Sequence, residues 1–206
     1  MPVVMGVIFH TYGYDLDPIF LMCCLVCWIL IILATELLSS ANNPIEKTAY
    51  SLFAIVYIGF PCLFAYELGY KDGSFSYLGL LGIFALIWAN DTGAYLVGST
   101  FGKNLLFPSV SPKKTIEGTV GGIVITMILA FPLSLLNGAF EYLDWLVVAL
   151  IIGVMGTLGD LLESKFKRNY NIKDTGTILP GHGGFLDRFD SFLFIISFIY
   201  LYSKFI

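Results

Sequence analysis

The chain has 206 residues, of which 57% are hydrophobic and only 13% are charged, with a formal net charge of −4. A soluble globular domain usually carries about 25% charged residues, so this chain has too few charges to cover a surface that faces water. The composition therefore excludes an ordinary soluble domain, and no nucleic-acid partner is expected.

Six apolar stretches are long enough, or nearly so, to cross a membrane as helices, because a helical span needs about 20 mostly apolar residues. They run approximately over residues 18–38, 48–66, 77–97, 118–136, 142–162 and 189–206. The connections between them are short except for residues 98–117 and 163–188. The prediction is an all-α, polytopic transmembrane helical bundle with about six spans in the lipid bilayer.

Lysine and arginine residues orient this bundle, since cytoplasmic loops carry an excess of both. Nine of the 11 basic residues fall in loops on one side, whereas Lys71 and Lys204 fall on the other. This distribution predicts that both long connections are cytoplasmic. Six spans then place both termini outside, and we expect that one or more helices preceding the first span are missing from this chain.

Asp91 is the first ionisable residue within a predicted span that calls for a functional explanation. It follows Asn90 near the cytoplasmic end of the third span, in the sequence Asn90-Asp-Thr-Gly-Ala-Tyr95. An ionisable group at membrane depth costs about 2.5–3.5 kcal/mol by insertion scales and usually marks function. Asp91 either reaches the membrane interface or faces a polar cavity inside the bundle.

Two adjacent lysines, Lys113 and Lys114, come just before the fourth span, in Ser111-Pro-Lys-Lys-Thr-Ile-Glu-Gly118. They either anchor the span at the cytoplasmic side or form a phosphate site. The second possibility rests on their positive charge and on the free N–H groups at the start of the helix that follows. The residues of this motif leave both possibilities open.

The densest charged segment runs from Gly159 to Asp190. If the fifth span continues as a helix, the spacing places four polar side chains on one face, namely Asp160, Glu163, Ser164 and Lys167. Asp187 and Asp190, at i and i+3, open the last span. Together with Asp160 they could hold a hard divalent cation, and ligation by oxygen alone favours Mg²⁺ over zinc.

Carboxylates, clustered cations and glycine-rich turns suit phosphoryl or nucleotidyl transfer, in which charge on phosphate oxygens must be neutralised. Ser164 has no visible base beside it, which favours a ligand or phosphate contact over a nucleophile. His182, between glycines, fits an acid/base role and a phosphate contact equally well.

The long motif Ser164-Lys-Phe-Lys-Arg-x4-Lys-Asp-Thr-Gly-x3-Pro-Gly-His-Gly-Gly-x2-Asp-Arg-x-Asp190 resembles the signature of the phosphatidate cytidylyltransferase (CDP-diacylglycerol synthase) family. The two upstream motifs resemble the other two motifs of that family, in the same order and spacing. The resemblance covers residues 88–190, about half of the chain.

The resemblance implies that CTP and phosphatidate are converted to CDP-diacylglycerol and pyrophosphate, with Mg²⁺, at the cytoplasmic face of a bacterial inner (cell) membrane. The family metal centre corresponds to Asp160 and Asp187, and Asp190 is the third candidate ligand. The candidate catalytic residues are Asp160, Ser164, Lys167, Arg168, Lys173, Asp187 and Arg188. The candidate substrate-binding residues are Asn90, Asp91, Lys113, Lys114, Thr115, Glu117, His182, Gly183 and Gly184.

The family also implies the division of the chain and its assembly. Residues 1–87 are expected to form amino-terminal transmembrane helices, and residues 88–206 a catalytic transmembrane domain with the signature loop. A homodimer is a family expectation, and the sequence leaves open a second, monovalent cation beside the Mg²⁺.

Two other classes of protein remain as alternatives. A sister CTP-dependent membrane transferase, such as a CDP-archaeol synthase or a polyprenol or phytol kinase, would share a charged loop between spans, but the intact His-Gly-Gly-x2-Asp-Arg-x-Asp stretch favours the phosphatidate enzyme. A transporter, with Asp91 in an ion pathway, would predict charges deeper inside several spans or paired broken helices.

Overall fold

The computed structural model describes residues 18–38, 43–71, 74–136, 139–176, 184 and 186–206. Within these ranges four helices are long and apolar enough to cross a membrane, namely Ile45–Gly69, Leu78–Phe101, Ile116–Leu136 and Tyr142–Asn169. Two shorter apolar helical stretches, Val26–Thr35 and Asp190–Ser203, accompany them. The predicted all-α transmembrane bundle with about six spans is confirmed.

Contacts along the chain divide it into two compact units, Met1–Tyr66 and Glu67–Ile206. The predicted functional boundary between residues 87 and 88 falls inside the second unit, within a helix, and stays a prediction.

The first unit contains α1 (Pro18–Leu38), α2 (Pro44–Ala54), a single π-helical turn (Ile55–Gly59) and the start of α3 (Phe60–Gly69). Proline is tolerated in the first turn of α2 because the N–H that it lacks would have no partner there. Glu46 supports this turn, since its carboxylate accepts hydrogen bonds from Asn43 Nδ2 at 3.2 Å and from Tyr50 Oη at 2.6 Å. The helix α1 contacts α2.

The second unit begins with a small hairpin of β1 (Tyr70–Lys71) and β2 (Ser74–Phe75), in which Tyr70 is opposite Phe75. Its remaining elements, in chain order, are α4 (Leu78–Phe101), β3 (Leu105–Phe107), β4 (Ser111–Thr115), α5 (Ile116–Leu136), α6 (Tyr142–Asn169), a short 3₁₀ helix (Leu186–Arg188) and α7 (Asp190–Ser203).

Both long connections contain more regular structure than the sequence predicted. In the first, α4 continues to Phe101, and β3 and β4 then form an antiparallel hairpin with Leu105 opposite Thr115 and an irregularity before Phe107. In the second, α6 continues to Asn169, and Asn171, two residues beyond its end, has a φ of 55°, the left-handed conformation common after helix ends. Hydropathy marks where the chain leaves lipid, and a helix can continue beyond that point.

The helix α5 packs against both α4 and α6, and α6 packs against α7. Trp145, Ile152 and Ile196 are fully buried where these helices meet. Gly122 of α5 allows a close approach to α4, because a Cβ atom there would lie 2.8 Å from the carbonyl oxygen of Asn90. Small residues commonly permit such contacts between membrane helices.

The helix α6 is the longest, with 28 residues. At 1.5 Å per residue it extends about 42 Å, which exceeds the roughly 30 Å thickness of a bilayer hydrocarbon core. Apart from Asp144 in the first turn, the charged residues of α6 lie between Asp160 and Arg168. The helix is therefore long enough for this polar end to extend beyond the hydrocarbon.

Candidate functional site

A cleft of about 340 Å³ opens in the second unit, with lining residues from α4, β4, α5, α6, the 3₁₀ helix and α7. Seven residues that the sequence predicted for the site line it together: Asn90, Asp91, Lys114, Thr115, Asp160, Asp187 and Asp190. The three motifs, which are separated by as many as 100 residues of sequence, therefore contribute to one cavity. Its volume lies within the usual range for small-molecule sites, about 300–1,000 Å³.

An ion pair between Lys114 and Asp160 joins the β3–β4 hairpin to α6 at this cleft. Both side chains are about one-third exposed, at 32% and 31%. Lys113, the preceding residue of the strand, is exposed and does not line the cleft. Successive side chains of a strand point to opposite faces, so the strand presents only one of the two predicted lysines to the cleft.

Thr115 and Glu117 hold the hairpin against the start of α5. The hydroxyl oxygen of Thr115 accepts a hydrogen bond from the Gly118 N–H at 3.1 Å. The carboxylate of Glu117 accepts hydrogen bonds from the backbone N–H groups of Lys103 and Asn104 at 3.1 Å each and from Asn104 Nδ2 at 2.7 Å. These bonds give Glu117 a structural role, and its contact with substrate stays a prediction.

Asn90 is buried, at 6% exposure, where α4 meets α5, and its Oδ1 atom lies 3.5 Å from Thr126 Oγ1. The next residue, Asp91, is exposed and lines the cleft. Asn90 therefore packs between the two helices, whereas the side chain of Asp91 faces the polar cleft. This is the second of the two possibilities that the sequence left open for Asp91.

Asp187 accepts more hydrogen bonds than any other cleft carboxylate among the described residues. Its Oδ1 atom lies 2.9 Å from Lys167 Nζ, and its Oδ2 atom accepts bonds from the Thr175 N–H at 2.8 Å, the Thr175 hydroxyl at 2.9 Å and the Gly184 N–H at 2.7 Å. Burial raises the pKa of Asp187, but these donors lower it more and hold this pKa at about 2. The group is therefore a carboxylate at neutral pH.

Gly184 comes within hydrogen-bonding distance of Asp187 because it has no side chain. A Cβ atom at Gly184 would overlap Thr175 Oγ1 and would lie 2.8 Å from the Gly176 nitrogen and 3.0 Å from Asp187 Oδ2. The glycine-rich motif thus supplies a backbone donor to Asp187, and the predicted phosphate contact stays a prediction. The predicted residues His182 and Gly183 lie outside the described residues.

Five of the seven candidate catalytic residues do not line the cleft: Ser164, Lys167, Arg168, Lys173 and Arg188. Lys167 is nevertheless connected to it, because its ammonium group contacts both Asp187 and the Glu163 carboxylate, the latter at 3.3 Å. Arg168 donates from Nη1 to the Ile172 carbonyl oxygen at 3.2 Å, beyond the end of α6. Lys173 and Arg188 are exposed.

The acidic residues of the cleft provide only carboxylate oxygens, which is the donor type that Mg²⁺ prefers. In the described ranges, no three His, Cys, Asp or Glu side chains converge closely enough to form a metal site by themselves. The predicted ligands Asp160, Asp187 and Asp190 are therefore not preassembled as a triad, although all three line the cleft. Because Mg²⁺ is usually bound by one or two carboxylates with water and substrate phosphates, the cleft fits a site of that kind.

Sequence reasoning missed seven residues that line the cleft, namely Ala94, Tyr95, Gly118, Thr119, Gly156, Thr157 and Ser191. Gly156 and Thr157 precede Asp160 by four and three positions on α6. Residues at these spacings lie on the same helix face, so helical periodicity extended from Asp160 would have found these two.

Known proteins are similar to this chain over a range that includes the cleft residues. The model of the cytidylyltransferase family matches residues 2–206. The chain is 42% identical over 176 residues to the phosphatidate cytidylyltransferase of Bacillus subtilis (strain 168), in an alignment that covers 84% of this chain and 64% of that protein.

Two staphylococcal proteins give similar results. Over 169 residues the chain is 43% identical to the phosphatidate cytidylyltransferase of Staphylococcus aureus (strain COL), covering 81% of this chain and 63% of that protein. The protein of the same name from Staphylococcus saprophyticus is 40% identical over 168 residues, with the same coverage. The chain spans slightly less than two thirds of the length of these relatives.

Proposed function

This chain belongs to the cytidylyltransferase family, and we propose that it transfers the cytidylyl group of CTP to phosphatidate in phospholipid biosynthesis, giving CDP-diacylglycerol and pyrophosphate. The observation that carries the proposal is the cleft in which Lys114 and four aspartates from three separate motifs meet. The name shared by the relatives, phosphatidate cytidylyltransferase, supports the same reaction.

The position of the cleft suits two substrates of opposite solubility. CTP is a soluble nucleotide, whereas phosphatidate carries two acyl chains and a phosphate group at the membrane interface. Asp160 lies on the part of α6 that approaches its polar end, and Asp187 lies just before α7 begins. A site near helix ends can receive the nucleotide from water while the acyl chains stay in lipid.

In the proposed reaction, a phosphate oxygen of phosphatidate attacks the α-phosphorus of CTP. A new P–O bond forms, and the bond between the α-phosphorus and the oxygen of the departing pyrophosphate breaks. No covalent enzyme intermediate is needed, so the protein has to hold the two reactants in line and neutralise charge on the phosphoryl oxygens. The ammonium group of Lys114 is available for this task at the cleft, and that of Lys167 is held beside Asp187.

Asp160 and Asp187 are the residues that would hold Mg²⁺, with Asp190 as a further oxygen donor. When bound there, the cation would stabilise negative charge on the transferred group. The two lysines meanwhile neutralise these carboxylates. An incoming triphosphate would compete for the same ammonium groups, and Mg²⁺ would then neutralise the aspartate that loses its lysine.

The cleft is proposed to face the cytoplasm of a bacterial cell, where CTP is available. The clustering of nine of the 11 basic residues in the loops on one side supports this orientation. The homodimer expected from the family is part of the same proposal.

The test is an assay of the purified protein in detergent with radiolabelled CTP, Mg²⁺ and phosphatidate. We expect a labelled CDP-lipid, and we expect Asp160→Asn and Asp187→Asn each to lower its rate of formation by about 100-fold or more. Glu141→Gln is the control, because Glu141 is a carboxylate at the opposite end of α6. It should keep the wild-type rate.

Phosphatidate is compared in the same assay with an archaeal ether lipid phosphate and a polyprenol. A lipid labelled from α-³²P CTP with the ether lipid phosphate, or from γ-³²P CTP with the polyprenol, but no labelled CDP-lipid from phosphatidate, would contradict the phosphatidate assignment and would favour one of the sister enzymes. Normal turnover in both aspartate variants, with thermal unfolding unchanged, would contradict the roles given to Asp160 and Asp187.

A further inference from the structure

Glu163 is a buried carboxylate of α6 that the proposed reaction does not use. The residue is 2% exposed and does not line the cleft. Its Oε2 atom accepts a hydrogen bond from Lys167 Nζ at 3.3 Å, and its Oε1 atom is buried. The Glu163 carboxyl group also interacts with that of Asp190, which lines the cleft. A buried carboxylate is costly unless it is paired, so its position requires an explanation.

Lys167 provides that pair and also connects Glu163 to the cleft. Its ammonium group lies 3.3 Å from Glu163 Oε2 and 2.9 Å from Oδ1 of Asp187, which lines the cleft. The side chain of Lys167 is itself only 14% exposed. One cation with little access to water is therefore held between a carboxylate of α6 and a carboxylate of the 3₁₀ helix.

The helix fixes one end of this chain of contacts. Glu163 precedes Lys167 by four residues, the spacing and order that favour an ion pair on a helix. Since Glu163 is buried in the packed helix, its carboxylate has little freedom and defines where the ammonium group lies. Asp187, by contrast, lies in a three-residue 3₁₀ helix, so it depends more on its partners for its position.

We propose that Glu163 is a positioning residue that acts through Lys167. Glu163 fixes the Lys167 ammonium group, and Lys167 fixes and neutralises the Asp187 carboxylate at the cleft. The inference rests on the proposed function, because the effect of positioning is measured as turnover of CTP. Its specific consequence is that most of the effect of Glu163 on turnover is lost once Lys167 has been removed.

A double-mutant cycle tests this consequence, with Glu163→Gln, Lys167→Met and the double variant. We expect Glu163→Gln alone to lower kcat/KM for CTP by about tenfold. In the Lys167→Met background the same substitution should change kcat/KM by less than about twofold. Glu141→Gln, at the other end of α6, is the control and should leave kcat/KM unchanged in both backgrounds.

Thermal unfolding of the same proteins distinguishes the loss of the Glu163–Lys167 ion pair from a general loss of packing. Lys167→Met leaves the Glu163 carboxylate buried without its cation, so this variant should unfold at a lower temperature than the wild type. The double variant, which lacks the buried charge, should recover part of that loss. A structural role for Glu163 unrelated to Lys167 would instead make the double variant the least stable of the set.

Equilibrium dialysis with radiolabelled CTP measures the affinity for CTP without turnover. It therefore distinguishes failure of the proposed function from failure of the role given to Glu163. If the wild type produces no CDP-lipid but the cycle shows the same coupling in CTP affinity and in unfolding temperature, the proposed function fails and the role of Glu163 stands. If the effects of the two substitutions multiply independently in kcat/KM, or if Glu163→Gln leaves kcat/KM at the wild-type value, the inference is wrong.

Discussion

At the scale of single residues, the carboxylate of Asp187 shows how the signature segment is used. Its donors come from three different positions in the chain, Lys167, Thr175 and Gly184. Hydrogen bonds to an ionised group are about twice as strong as those between neutral groups, so this arrangement favours one position of the carboxylate. The polar residues of the motif therefore hold one another in position.

Gly184→Ala should lower the rate of CDP-lipid formation by about tenfold or more, because the new Cβ atom overlaps Thr175 and displaces the N–H donor of Asp187. Gly176→Ala is the matched control, since its Cβ atom would meet the Gly184 Cα atom at 3.6 Å, an ordinary contact. The measurements are initial rates and thermal unfolding. Equal rates for the two variants would show that the close approach at Gly184 does not matter for activity.

At the scale of secondary structure, apolar runs predicted the spans because each is nearly as long as a bilayer is thick. The bounds of α1, Pro18–Leu38, agree with the prediction, and α6 begins at the predicted Tyr142. The strands β3 and β4 were not predicted, since three and five residues are too few to establish an alternating pattern. The continuation of α6 beyond the predicted span was considered only as a condition under which Asp160 and Lys167 would lie on one helix face.

The candidate site, like the secondary structure, was predictable in part. The sequence identified the residue types and all four carboxylates that line the cleft, because charges in an apolar chain are conspicuous. It could not choose between Lys113 and Lys114, since that choice depends on which face of β4 meets α6. It also could not predict that Asp160 pairs with Lys114 and Asp187 with Lys167, because those contacts arise only when separate elements pack.

Glu117→Gln tests the role of the β3–β4 hairpin as an element. The amide can accept fewer of the hydrogen bonds that now come from Lys103 and Asn104. We therefore expect a looser hairpin, a less well-placed Lys114, and a KM for CTP raised by about three- to tenfold with a small change in kcat. Steady-state kinetics at saturating phosphatidate measures both constants.

The control for that substitution is Glu141→Gln, which alters a carboxylate that caps the start of α6. Both glutamates lie at the start of a helix, but only Glu117 connects to the hairpin that carries Lys114. The control should leave the KM for CTP unchanged. Equal KM values in the two variants would contradict the view that the hairpin positions a CTP contact.

At the scale of the whole molecule, the exposed surface of the helices is strongly apolar. Ile128 is 65% exposed and Leu135 is 74% exposed on α5, and Trp88 is 69% exposed on α4. Surfaces of this kind aggregate in water but are solvated by acyl chains. The chain therefore buries polar residues such as Asn90 and Thr126 between helices while it presents large apolar side chains to lipid.

The orientation is testable with single cysteines in a variant that lacks the four native cysteines. Lys113→Cys, in β4, should react with a membrane-impermeant maleimide in inverted vesicles and be protected in right-side-out vesicles. Ser76→Cys, at an exposed position before α4, should show the opposite pattern and serves as the control. The reverse of both patterns would place the cleft on the outer face and contradict the proposed orientation.

The lining of the cleft extends from Asn90 to Ser191 along the chain, and this range has a consequence for biogenesis. A ribosome-bound chain in which α4, α5 and α6 have already entered the membrane still lacks Asp187 and Asp190. Lys114 and Asp160 can meet at that stage, but the second half of the site is still within or near the ribosome. The proposed nucleotide chemistry is therefore expected to begin only after Asp187 and Asp190 have left the ribosome and α7 has inserted beside α6.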